Sequence, residues 1–170
     1  SETPLGVLAT PRKPFQDSPT PAGNPVAAIA LFRLYNYTND RGHRQYAEQT
    51  MELFGGVAGR YGIFAATYAI AGVYFLEPHI QIVVFGDDAK AKELRRTAVQ
   101  PFHFGKAVIK LGVTKAVPLN LPPALSETIS QFSALRDGSS VALVCSNLKC
   151  RPPISDPREL AQVCKLGCSE

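Results

Sequence analysis

The sequence predicts a mixed α/β fold, with a helical portion over residues 23–77 and a small, mostly parallel α/β subdomain over residues 78–170. Three observations carry this. Apolar residues recur at helical spacing from Val26 to Leu76. The period switches at Glu77-Pro78 to a short β-branched run, Ile80–Phe85. From there strand-like runs alternate with helix-like ones, the pattern of a sheet with helices on its faces.

Residues 1–22 form an extended, proline-rich segment without hydrophobic period. Asn24 is placed to cap a helix, and Pro25 suits its first turn, where a missing N–H costs nothing. Val26, Ile29, Ala30 and Leu34 then follow at helical spacing, and Thr38-Asn39-Asp40 is a stop. In the next helix Tyr46, Thr50, Leu53, Phe54 and Val57 share one face. Gly55, Gly56 and Gly59 weaken its end and allow close packing. The third helix, residues 63–76, is apolar on almost every side and should be covered on almost every side. Three such helices cannot bury themselves well. Their partners are expected on another chain or upstream of residue 1.

Ile80–Phe85 reads as a buried strand, Gly86-Asp87-Asp88 as a turn and helix cap, and residues 88–99 as a helix with one polar side. Ala107–Leu111 is a second strand. Residues 125–135 form a moderate helix, Ser140–Cys145 is a third strand, and Asp156-Pro157 opens a last helix over residues 157–165.

Composition narrows the function classes. A hydrophobic fraction of 45% in 170 residues is that of a globular protein. The net charge of +4 is mild, and the densest basic cluster, Lys90, Lys92, Arg95 and Arg96, reads as a solvated helix face, not a nucleic-acid patch. The longest apolar run, Ile63–Leu76, falls short of the roughly 18–20 residues that span a bilayer. Residues 1–15 lack the continuous apolar core of a signal peptide. All four cysteines follow residue 144, unlike a disulfide-dense secreted domain, so a reducing intracellular compartment, cytoplasmic or mitochondrial, is expected. Neither nucleic acid nor membrane is an expected partner, and no cofactor or metal is expected.

Three segments in order carry a resemblance. Asp17–Ala28, DSPTPAGNPVAA, resembles the D-G-x-x-P-S-G-N-S-x-A-A segment of the spermatogenesis-associated thioredoxin-like family. IQIVVFGD is similar to that family's V-x-I-V-G-D strand and turn. Val144–Leu160 looks like its C-terminal signature, V-C-x4-C-x2-P-x2-D-P-x2-L. Together they cover roughly residues 15–165. The resemblance implies a parent protein with a thioredoxin-like domain, a helical toroid of the six-hairpin glycosidase type, and an α/β piece near its end. Residues 23–77 would then be the helical hairpin portion of an incomplete (α/α) toroid, and the expected partners are the toroid helices and thioredoxin-like domain of the same protein, or a partner chain. The chain departs from the family at Ser18-Pro19, Ala22 and Pro25. Arg41-Gly42-His43 resembles an insertion between the first two helices, and Cys164 and Cys168 lie outside the signature.

The resemblance also places the Asp17 loop at the toroid cavity, with Asp17 as the candidate catalytic carboxylate and Thr20, Gly23 and Asn24 as candidate contacts to a sugar ligand. The plainer reading has Asp17 capping a turn and Asn24 capping the helix. Glycoside cleavage needs two carboxylates, so the chain alone is not expected to be a complete enzyme. Cys145 and Cys150 are a candidate redox pair. The C-x4-C-x13-C-x3-C pattern leaves structural thiols and a zinc site open beside that reading. Gly86-Asp87-Asp88 lacks a phosphate-binding fingerprint. His43, His79 and His103 share no ligand spacing and read as surface or satisfied histidines, and no G-x-S-x-G elbow is present. Two functions follow. The parent acts in carbohydrate metabolism with residues 17–24 in its cavity, or this region is a structural and interaction module that closes the toroid and docks the redox domain.

Overall fold

A computed structural model describes residues 15–38, 40–112, 139–146 and 149–165, together with Thr114 and Ser126. The chain is mixed α/β. Its helical portion comprises α1 (Gly23–Thr38), α2 (Arg41–Ala58), a 3-10 turn (Gly62–Ala65) and α3 (Ala66–Leu76). The sheet portion comprises β1 (Ile80–Phe85), α4 (Ala89–Val99), β2 (Lys106–Leu111), β3 (Val141–Ser146), β4 (Lys149–Cys150) and α5 (Pro157–Lys165). The helix expected over residues 125–135 lies outside the described residues.

The four strands run in the order β2-β1-β3-β4. β1 pairs with β2 in parallel and with β3 antiparallel, and β3 pairs with β4 antiparallel. The sheet is therefore mixed, which corrects the expectation of a mostly parallel one. An apolar run buried on both faces reads the same in either direction, so strand–helix alternation leaves the direction of β3 open. The crossover through α4 returns β2 parallel to β1. β3 takes the other side of β1 and runs against it.

The sheet core is dense. Ile80, Ile82, Val84, Ala142 and Val144 pack against Ala91, Leu94 and Ala98 of α4, Leu160 of α5, and Ile154. Val83, Phe85, Val141, Leu143 and Cys145 cluster on the opposite face. The turn after β1 follows from its residues. Gly86 has φ +116°, and a Cβ there would sit 2.0 Å from Ser140 Oγ. Asp88 Oδ1 accepts the Ala91 N–H at 2.7 Å and the Ser140 hydroxyl at 2.6 Å, so one carboxylate caps α4 and ties it to the start of β3. Lys90, Lys92, Arg95 and Arg96 stand in solvent on the outer side of α4.

The helical portion is built differently. Its core consists of Ala28 and Phe32 of α1, Ala47 of α2 and Ala71 of α3, flanked by Ile29, Leu31, Met51 and Tyr74. Small residues let the helices approach closely but bury little area each. α1 therefore turns Pro25, Ala28 and Phe32 inward, while Val26 and Leu34 remain 44% and 45% exposed. α2 likewise buries Ala47. Arg41-Gly42-His43 is its first turn, capped by Asp40 Oδ1 accepting the Gly42 N–H at 2.8 Å, and not a connector between helices.

Much of the apolar stripe of α2, much of the 3-10 turn and the C-terminal end of α3 are not covered. Tyr46, Leu53, Phe64, Leu76 and Ile63 are 65%, 67%, 56%, 80% and 82% exposed. This corrects the expectation that α3 is buried on almost every side. α1 and α2 cover one flank of it, through Ala71 and Gly72, and Thr67 is its other buried residue.

Candidate functional site

Asp17 sits where the N-terminal segment crosses the start of α3. Oδ1 accepts the Ala22 N–H at 2.7 Å, and Oδ2 accepts the Thr67 N–H at 2.8 Å. Its own N–H donates to the Phe64 carbonyl at 2.8 Å. α3 has no side-chain cap of its own, so a residue 50 positions earlier in the chain satisfies an orphan donor in its first turn. These backbone N–H groups, Thr67 first and then Ala22, hold the carboxyl below its ordinary 3.8 despite partial burial. Such a group is ionised at neutral pH, is a weak base, and has both oxygens in use. Its surroundings are those of a cap.

The other residues of the loop are arranged around this cap. α1 begins at Gly23, one residue before the expected Asn24 cap, and its first turn closes through Val26 N–H to the Ala22 carbonyl at 3.3 Å. Asn24 is thus the second residue of the helix, half-buried. Thr20 and Gly23 are exposed, and a Cβ on Gly23 would meet nothing within 4 Å. The Thr20 carbonyl accepts the Ser18 N–H at 3.1 Å, and the Ser18–Pro19 peptide is cis. The structure therefore brings Asp17 to Ala22 and Thr67. Phe15 anchors the same segment, with ring centroids 4.8 Å from Phe54, 5.2 Å from Tyr61 and 5.6 Å from Tyr68. No local spacing signals that cluster, since its members come from three separate stretches of chain.

Cys145 and Cys150 are brought together. They face one another across the β3–β4 pair, with Cα atoms 4.0 Å apart, and form a disulfide. Cys145 is 6% exposed within the apolar cluster of Val83 and Leu143, while Cys150 is half-buried at its edge. Cys164 packs against the other core cluster, on the α4–α5 side of the sheet, and stands outside the disulfide. Cys168 lies outside the described residues. Among the described residues no group of histidine, cysteine, aspartate or glutamate is placed to hold a metal ion. No helix among them is long and apolar enough to cross a membrane.

A small crevice lies where the two portions of the chain meet, lined by Arg33, Asn36, Tyr74, His79, Phe104 and Lys106. It has room for little more than one water molecule. Gln81 Nε2 donates to the Asn36 carbonyl at 3.4 Å across this junction, and Tyr74 meets Phe104 edge to face at 5.9 Å. His79 is not the surface or satisfied histidine that the sequence suggests. Both its ring nitrogens are out of water and make no hydrogen bond of ordinary geometry among the described residues, although the Gly105 backbone lies close enough to favour the protonated ring in part. Burial first, then the charges of His103 and Arg33, push its pKa down to about 4. His103 and His43 do have partners: His103 Nδ1 accepts the Gly105 N–H at 3.1 Å, and His43 Nδ1 lies 3.3 Å from Thr38 Oγ1. Lys106, also unmarked in the sequence, donates to the carbonyls of Ala98 at 2.7 Å, Val99 at 3.3 Å, and Pro101, closing the C-terminal end of α4.

The arrangement is a structural carboxylate, a buried neutral histidine at a junction, and a disulfide with one buried and one half-buried cysteine. No protein-family model, curated protein or solved structure matches the chain.

Proposed function

We propose that the chain is the C-terminal portion of a thioredoxin-domain-containing, six-hairpin-glycosidase-like protein, and that it acts there as a structural and interaction module. In this reading α1–α3 close a helical toroid, and the sheet portion docks beside the redox domain. The observation that carries it is the uncovered apolar surface of the helices. Tyr46, Leu53 and Val57 recur along α2 at helical spacing and remain 65%, 67% and 37% exposed, next to Ile63 and Phe64 at 82% and 56%. A run of exposed large apolar side chains along one helix face has the composition of an interaction site. A stripe at helical spacing fits ridges of another helix, so the occupants are further α-helices of the same polypeptide.

The carboxylates of any sugar chemistry then belong to other residues of the parent. Asp17 has both oxygens committed to backbone N–H groups, and an acid–base pair needs two carboxyls beside the scissile bond. The chain supplies wall, not catalyst.

The reading is tested by expressing this chain and the remainder of its native polypeptide as two separately tagged pieces. Co-purification is expected. Leu53→Asp with Ile63→Asp should lower the co-purified fraction by about tenfold or more, as loss of central apolar anchors does. The same double change should leave the melting temperature of the isolated chain almost unaltered, because both side chains already face water. Undiminished co-purification of the double variant would overturn the reading.

A further inference from the structure

We infer that Cys145–Cys150 is a two-cysteine thiol–disulfide exchange centre, with Cys150 as the exchanging residue and Cys145 as the resolving one, and that it is served by a protein dithiol. The inference is independent of the helical interface above.

Three features support it. The two cysteines differ in access: Cys145 is 6% exposed among Val83 and Leu143, whereas Cys150 is half-buried on the two-residue strand β4. Of the two, Cys150 thus offers an incoming sulfur the more open approach. Cys150 is flanked in sequence by Lys149 and Arg151, both exposed, and cations near a thiol favour the thiolate that does the chemistry. Finally, the sheet holds the pair in register without the bond. Cys145 is aligned with Gln81 of β1, Arg151 N–H donates to the Val144 carbonyl at 2.9 Å, and Ala142 and Ile154 exchange hydrogen bonds at 2.8 and 2.9 Å. A reduced pair would stay close enough to re-form its disulfide. Cys164, on the opposite side of the sheet, is poorly placed to intercept it.

The electron balance is closed by the dithiol. In reduction, a thiolate of the dithiol attacks Cys150 Sγ, the Cys145–Cys150 bond breaks, and Cys145 leaves as a thiolate and takes a proton. The second thiolate of the dithiol then attacks the mixed disulfide. Cys150 leaves as a thiolate, takes a proton in turn, and the dithiol becomes a disulfide. Two electrons and two protons pass to this chain, and the reverse sequence returns them.

The test uses the full chain with Cys164→Ser and Cys168→Ser as background. Cys145→Ser, incubated with glutathione disulfide, should accumulate a stable mixed disulfide on Cys150, mapped by peptide mass. Cys150→Ser should give at least about tenfold less adduct on Cys145 while folded, since burial of the thiol blocks attack. A thioredoxin whose own resolving cysteine is serine should be captured by the unsubstituted chain at Cys150. A merely structural disulfide predicts no capture, and reduction by dithiothreitol only after denaturant is added; either result overturns the inference, as does equal labelling of both cysteines. If Cys145→Ser loses its fold by circular dichroism, the capture and reduction measurements on the unsubstituted chain decide.

Discussion

The two portions of the molecule bury apolar side chains in different ways. In the sheet portion, Ile82, Val83, Val84, Leu94, Leu143 and Leu160 are 0% exposed, and large residues from strands and helices interlock. In the helical portion the fully buried positions are Pro25, Ala28, Ala47 and Ala71, and while Met51 and Tyr74 pack against the alanine cluster, Tyr46, Leu53 and Leu76 point outward. The same chain thus has a core that closes on itself and a core that stops at its first layer. A fully buried leucine is worth about 1.5–3 kcal/mol and an alanine far less, so the sheet portion should hold most of the chain's own stability. The helices leave several large side chains in water.

The most direct way to break this comparison is to empty the sheet core. Leu94→Ala removes a side chain that packs between α4, β1 and α5 at 0% exposure, and should cost about 2–5 kcal/mol. The surface pair Leu53→Asp and Ile63→Asp should change stability by no more than about 0.5 kcal/mol. Denaturant melts of the two variants measure the contrast. Equal losses would mean that the helical surface is closed by the chain itself, and the distinction between the two portions would fail.

The junction offers a second lever, through pH. His79 has a folded pKa of about 4 against an ordinary 6.5. Above pH 6.5 it is neutral in both states and costs nothing. As pH falls from 6.5 towards 4, the unfolded chain takes up a proton that the folded chain refuses, and stability declines. Below about 4 both states are protonated and the loss is complete. The full decline is on the order of 3–4 kcal/mol, since each tenfold change in proton affinity is worth about 1.4 kcal/mol. His79→Phe should flatten the stability profile between pH 7 and 4. A slope that survives the substitution would assign it to other groups, and the junction would no longer be the acid-sensitive seam between the two portions.

Much of this is legible in the sequence, for a physical reason that also explains the gaps. Local signals read true. The β-branched run Ile80–Phe85 is a strand buried at every position, Asp88 caps the next helix, and Asp156-Pro157 opens the last one. Each depends on residues a few positions apart. What stays hidden depends on distance. Asp17 meets Thr67 across 50 residues, Lys106 folds back onto the end of α4, and Phe15 reaches three aromatic rings on separate stretches. The inward face of α1 is equally hidden, because an almost wholly apolar helix gives no direction. Close packing of alanines, not hydrophobicity, selects Ala28 over Val26. Of the candidate site, the spacing of Cys145 and Cys150 leaves a disulfide, structural thiols and a zinc site open, and only the facing positions on β3 and β4 select the disulfide. The commitment of the Asp17 carboxylate to backbone donors is not legible in the sequence.

The smallest effect is expected at Asp17, and it separates a cap from a cavity residue. Asp17→Asn keeps the size of the side chain but replaces one acceptor oxygen with a donor, so the two N–H groups of Ala22 and Thr67 can no longer both be satisfied. Amide exchange should quicken at Thr67 and Ala22 and stay unchanged in β1, whose ladder is untouched. The acid limb of the stability profile should change as well. A carboxyl held below 3.8 contributes stability that is present above its unfolded value and lost as pH falls through the lower folded one; the amide has no such limb. If the proposed parent protein binds a sugar, that binding should be indifferent to Asp17→Ala, because each oxygen already serves a backbone N–H as a cap. Weakened sugar binding, with exchange at Thr67 unaltered, would return Asp17 to a cavity and make the helical portion a catalytic wall instead of a docking layer.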